Sequence, residues 1–149
     1  MKAVIQRVKR ASVTIDGKVK SQIGKGLLIL LGIHENDTED DAVYLAKKCS
    51  GMRIFEDENG KMNLAPADVG AEFLIISNFT LYGDCKKGYR PSFTAAARPE
   101  KAVPLYEKFI ELMRESSLIC RTGEFGADMA VELINDGPIT IVLESGDAK

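Results

Sequence analysis

The run "GKGLLILLGI", residues 24–33, decides how the rest of the chain is read. From Leu27 to Ile33 it is apolar without a charge, and so short a run after a glycine breaker reads as a strand covered on both faces. It falls far short of the ~20 residues a membrane-crossing helix needs. Such a strand belongs at the centre of a sheet, and its partners should lie on both sides of it in the sequence.

Upstream, "AVIQRVKRASVTI" (3–15) alternates apolar and polar residues as a half-buried strand does. Asp16-Gly17 marks a hairpin turn into a second strand, "KVKSQIG". Downstream the period changes. Ala42, Leu45, Ala46 and Cys49 recur at helical spacing, with acids in the first turn and lysines in the last, so a helix is predicted from about Thr38 to Ser50. "MRIFEDENGKMNL" reads as a hairpin around Asn59-Gly60, and "AEFLIISNFTLYG" (71–83) as a long, mostly buried strand. A loop, "DCKKGYRPSFTAAARPE" (84–100), precedes a second helix from near Pro99 to about Ser117, whose stripe of Ala102, Leu105, Tyr106, Phe109, Leu112 and Met113 is core packing. The end, "CRTGEFGADMAVELINDGPITIVLES", reads as two or three strands, with "NDGPIT" (135–140) as the turn of a last hairpin. The order β-β-β-α-β-β-β-α-β-β predicts an α/β fold: a curved, barrel-like, largely antiparallel sheet system with two helices packed on one side, in three layers α/β/β. One domain over residues 1–149 is expected.

Twenty basic residues against 22 acidic ones give a net charge of −2, so no overall positive field advertises DNA, and any nucleic-acid contact must be local. The N-terminus lacks the apolar core of a signal peptide, so a soluble cytoplasmic protein with no membrane partner is expected. Three scattered cysteines form no C-x-x-C pair and His34 is the single histidine, which leaves no metal site and no disulfide framework in view. No P-loop or dinucleotide fingerprint calls for a cofactor.

The chemical candidates are few. His34 and Cys85 offer a base and a thiol, but nothing in the sequence pairs them. "SNFTLYG" (77–83) sets Ser77, Asn78 and Thr80 at the end of a buried strand, either satisfied locally or forming a site. "KKGYRPSF" (86–93) is either a solvated loop or a set of phosphate contacts and stacking faces for RNA. "NDGPIT" carries no acid, base or nucleophile between Asp136 and Thr140.

Taken together, "SNFTL" at 77–81, "RPSF" at 90–93, "FGADM" at 125–129 and "NDGPIT", with the opening strand and the "RIFEDENGKMNL" hairpin, resemble the bacterial D-aminoacyl-tRNA deacylase family across essentially the whole chain. The resemblance implies a cytoplasmic homodimeric ester hydrolase, without metal or cofactor, that acts on the aminoacylated 3′ end of tRNA. It would release D-amino acids, and glycine mischarged on tRNA-Ala, while sparing L-aminoacyl-tRNA. By the same resemblance Gly137 and Pro138 form a cis dipeptide that reaches into the partner's site and rejects the L configuration. Ser77, Asn78, Phe79 and Thr80 match the family's Ser-Gln-Phe-Thr catalytic motif, with a departure at 78, where Asn is one methylene shorter than Gln. Phe125, Gly126, Ala127 and Met129 correspond to the adenosine-binding wall, and Arg7 to a residue that braces the dipeptide or the wall. A non-catalytic dimeric module that binds RNA ends is the alternative reading, and a thiol hydrolase using Cys85 a third.

Overall fold

The computed structural model describes residues 1–148; Lys149, the last residue of the expected domain, lies outside the described residues. Strand β1 (Lys2–Ile15) turns through Asp16 and Gly17, at φ 50° and 75°, into β2 (Lys18–Ile23). Two consecutive positive φ values match the twist of a tight antiparallel hairpin. The deciding apolar run is β3 (Gly26–Gly32), followed by α1 (Glu39–Gly51), the small hairpin β4 (Phe55–Glu56) and β5 (Met62–Leu64), and a one-turn helix α2 (Pro66–Val69). Then come β6 (Glu72–Ser77), a 3-10 turn over Phe79–Tyr82, α3 (Pro99–Arg114), β7 (Cys120–Thr122) and β8 (Ala130–Glu144).

The main sheet runs β2-β1-β3-β6-β7, with β8 on the other edge of β1. β1 pairs antiparallel with β2, β3 and β8, whereas β3–β6 and β6–β7 are parallel. α1 with the small hairpin, and then α3, supply the crossovers that parallel neighbours require. Across the remaining gap the Ser21 hydroxyl donates to the Thr122 carbonyl at 2.7 Å, so the sheet is a nearly closed barrel with helices on one side. The expected barrel-like α/β architecture is present; its parallel half and α2 are additions to it.

Two apolar layers follow from the pleat. On the helix side, Ala3, Ile5, Leu27, Ile29, Leu31, Phe73 and Ile75 pack against Leu45, Phe109 and Met113. On the other face Val8, Ala11, Val13, Leu28, Leu74 and Ile76 form a second cluster. Odd residues of β1 change sides because Arg7 and Val8 are both buried and Lys9 and Arg10 both exposed, at register shifts in the β1–β8 pairing.

Two expectations need correction. The strand expected over 71–83 ends at Ser77; beyond it "FTLY" coils into a 3-10 turn, so Asn78 and Thr80 do not alternate with Phe79 along a strand. The last hairpin does not exist. Both flanks of "NDGPIT" pair with β1: Thr140 stands opposite Gln6 and Asn135 opposite Val8, so Asp136–Ile139 bulge out opposite the single residue Arg7. A bulge and a turn use the same residues, Asn, Asp, Gly and Pro, and only the pairing partner tells them apart.

Candidate active site

The C-terminal end of β6 delivers Ser77 and Asn78 to the open face of the barrel, where the Asn78 N–H donates to the Leu31 carbonyl at 2.8 Å. The 3-10 turn then lifts Phe79 and Thr80 into solvent. As the first residues of that turn they have N–H groups with no earlier carbonyl of the turn to bond. The Thr80 hydroxyl donates to Asn78 Oδ1. Phe79 is exposed, with its ring edge-on to Phe93 at 5.2 Å.

Facing this turn is the segment between β7 and β8. Gly126 takes φ 79°, and Phe125 rests against the ring of Tyr106 at 5.9 Å. Tyr106 donates its hydroxyl to the Ile75 carbonyl at 3.0 Å, and burial pushes its phenol up to about 12, so it is a neutral support. Together the two segments enclose a cleft of about 580 Å³. Its floor is apolar, from Leu28, Leu30, Ile76, Met129, Val131 and Leu133, and its polar groups are Gln6, Ser77, Asn78 and Thr80, with Asp128 as the charged one.

The bulge adjoins this cleft. Gln6, which lines it, donates through Nε2 to Thr140 Oγ1 at 3.4 Å. Asn135 closes the base of the bulge, donating to the same hydroxyl at 2.9 Å and accepting from the Ile139 N–H at 2.8 Å. Beneath, Arg7 donates from Nε to the Asp136 carbonyl at 3.0 Å and from Nη1 to the Ile54 carbonyl at 2.8 Å. Gly137 and Pro138, joined by a cis peptide bond, are exposed at the crest and do not line the cleft of their own chain.

The sequence profile of D-Tyr-tRNA(Tyr) deacylase matches residues 4–144. The chain belongs to that family. A D-aminoacyl-tRNA deacylase of Koribacter versatilis (strain Ellin345) is 58% identical over 145 residues, 97% of each chain. One of Thermus aquaticus is 54% identical over 147 residues, covering 99% of this chain and 97% of that one. Among solved structures, a c-Myc DNA unwinding element binding protein superposes with a TM-score of 0.90 at 43% identity, over 97% of this chain and 98% of that chain. A probable eukaryotic D-amino acid tRNA deacylase, at 14% identity, shares the fold with a TM-score of 0.82 over 96% and 98% of the two chains.

Of the residues singled out in this deacylase-family sequence, Ser77, Asn78, Phe79, Thr80, Phe125, Gly126, Ala127 and Met129 come together in one cleft. Arg7, Gly137 and Pro138 lie in or under the neighbouring bulge. Gln6, Leu28, Leu30, Ile76, Asp128, Val131 and Leu133 also line the cleft, and sequence reasoning misses them. Their parity along β1, β3, β6 and β8 is the signal that could have found most of them. The thiols stand apart: Cys49 is buried, which pushes it up to about 12, burial also raises Cys120, and Cys85 is exposed on the loop. None of them, nor His34, lines the cleft. No group of three or more His, Cys, Asp or Glu side chains able to hold a metal occurs among the described residues. No described helix is long and apolar enough to cross a membrane.

Proposed function

We propose that this chain, acting as one unit over its 149 residues, hydrolyses the ester that joins a D-amino acid, or glycine on tRNA-Ala, to the 3′-terminal adenosine of tRNA. The observation that carries the reading is the single cleft in which Ser77–Thr80 face Phe125–Met129 beside the Gly137-Pro138 bulge. An aminoacyl ester is already activated, so holding it and stabilising an oxyanion suffice. The Phe79 and Thr80 N–H groups are the oxyanion donors, and the adenine lies against Phe125 and Met129. Thr80 orients rather than attacks: its hydroxyl donates to Asn78 Oδ1, an amide oxygen that cannot take the proton a nucleophile must lose.

The working form is a cytoplasmic homodimer in which the exposed Gly137-Pro138 crest of one chain closes over the cleft of the other, holding the D substrate in place and crowding an L side chain. Gly137 has φ 147°, and an added Cβ would lie 2.7 Å from Ile139 Cγ1 and 2.8 Å from Ile139 N. Deacylation of matched D- and L-tyrosyl-tRNA tests the reading. Rapid hydrolysis of the D ester alone is expected, with Gly137→Ala slower by on the order of 10-fold as the crest shifts. Binding of both esters without turnover would instead leave a non-catalytic RNA-end module.

A further inference from the structure

The loop between Gly83 and Phe93 has no part in the cleft, yet it is built rather than slack. Asp84 and Ser92 exchange two backbone hydrogen bonds, at 2.7 and 2.9 Å, and close it at the neck. Asp84 Oδ1 accepts from the Lys86 N–H at 2.9 Å, and Gly88 turns the tip at φ 68°. Phe93, just past the neck, meets the cleft residue Phe79 edge-on, so the loop is anchored to the cleft's rim.

Its outward charges are one-sided. Residues 84–98 hold Lys86, Lys87, Arg90 and Arg98 against one acid, Asp84, in a chain of net charge −2. Lys86, Lys87 and Arg90 are all exposed and form no ion pair among the described residues, so their charges are open to phosphate. Between them Tyr89 is fully exposed, so both faces of its ring are open to a base. A loop serving only solubility needs neither a closed neck nor an anchor on the cleft.

We propose that this loop is an RNA-gripping arm: Lys86, Lys87 and Arg90 bind phosphates of the tRNA acceptor strand and Tyr89 stacks on an unpaired base near its 3′ end. The proposal rests on the deacylase reading for its substrate. The phosphates it engages lie outside the terminal adenosine, so the arm acts on tRNA and not on a truncated ester.

The test compares wild type, the triple variant Lys86→Ala/Lys87→Ala/Arg90→Ala and the charge-keeping variant Lys86→Arg/Lys87→Arg/Arg90→Lys. Each is assayed on D-tyrosyl-tRNA and on D-tyrosyl adenosine, and for binding an uncharged acceptor-stem minihelix ending in CCA. On tRNA the alanine variant should lose ~10-fold or more in kcat/KM, with the log–log salt slope of minihelix binding shallower by about 2. Its rate on the adenosine ester should stay within about 2-fold of wild type, and the charge-keeping variant should recover most of the loss. Equal rates on tRNA, or an equal loss on both esters, would overturn the arm. If wild type hydrolysed neither ester, the deacylase reading would fall, while the minihelix slopes would still decide whether the loop binds RNA.

Discussion

Arg7 is the residue that ties the bulge to the rest of the fold. It is 5% exposed, and its guanidinium bonds two carbonyls of different segments, Asp136 and Ile54, with Glu56 at 3.6 Å and the Asp136 carboxylate at 3.5 Å. A planar fork can serve both at once, which an ammonium cannot do in the same geometry. Arg7→Met keeps much of the volume but strips both carbonyls of their donor and leaves Asp136 without its cation. Unfolding free energy in urea should therefore fall by about 2–4 kcal/mol, with Arg7→Lys in between. A loss under ~0.5 kcal/mol would mean that water replaces the arginine. The burial of Arg7 is half legible in the sequence: it shares parity with Ala3 and Ile5, which face the core, and an arginine at such a position implies carbonyls waiting for it. Which carbonyls cannot be read, because Ile54 and Asp136 are 47 and 129 positions away.

At the scale of elements, α1, α3 and each half of β1 are legible because they bury a face with a regular period, and β3 because it is an unbroken apolar run buried on both faces. What periodicity leaves out is the choice of partner. Nothing local says that "MAVELI" and "ITIVLE" both pair with β1 rather than with each other, and so the bulge reads as a turn. Likewise, alternating apolar residues such as Leu28, Leu30 and Ile76 look the same whether they face a filled core or the floor of a cleft. The bulge itself makes a prediction. Four residues, 136–139, stand opposite one, so removing Asp136–Pro138 and keeping Ile139 restores a one-to-one ladder, with Asn135 and Thr140 still on the cleft face and Ile139 still against the core. This variant should keep its circular dichroism spectrum and lie within about 2 kcal/mol of wild type, since a continuous ladder offsets the removal of Asp136 from Arg7. Its deacylation rate should fall on the order of 100-fold, because the crest is gone while the cleft is intact. Retained activity would remove the bulge from the site; an unfolded product would show that β8 needs its extra residues to twist along β1.

For the whole molecule, the decisive fact is that the crest and the cleft are close but do not meet within one chain. Gly137 and Pro138 are exposed, and β8 is an edge strand with Ile134 and Val142 also exposed along it. Exposed edges with apolar side chains are surfaces that a second copy can cover. If two chains exchange crests, each site takes its cleft from one chain and its bulge from the other, and two differently damaged chains can repair each other. The Asp136–Pro138 deletion keeps its cleft, and Ala127→Trp, which fills the cleft, keeps its crest. Each should be nearly inactive as a homodimer. After mixing through a dissociating step, random pairing makes half of the dimers mixed, each with one intact site of two, so about a quarter of wild-type activity should return. Sedimentation should give twice 16.3 kDa throughout. No recovery from a mixture shown to contain the mixed dimer would place crest and cleft in service of the same chain, and the cross-subunit filter would have to be abandoned even if the deacylase activity stood.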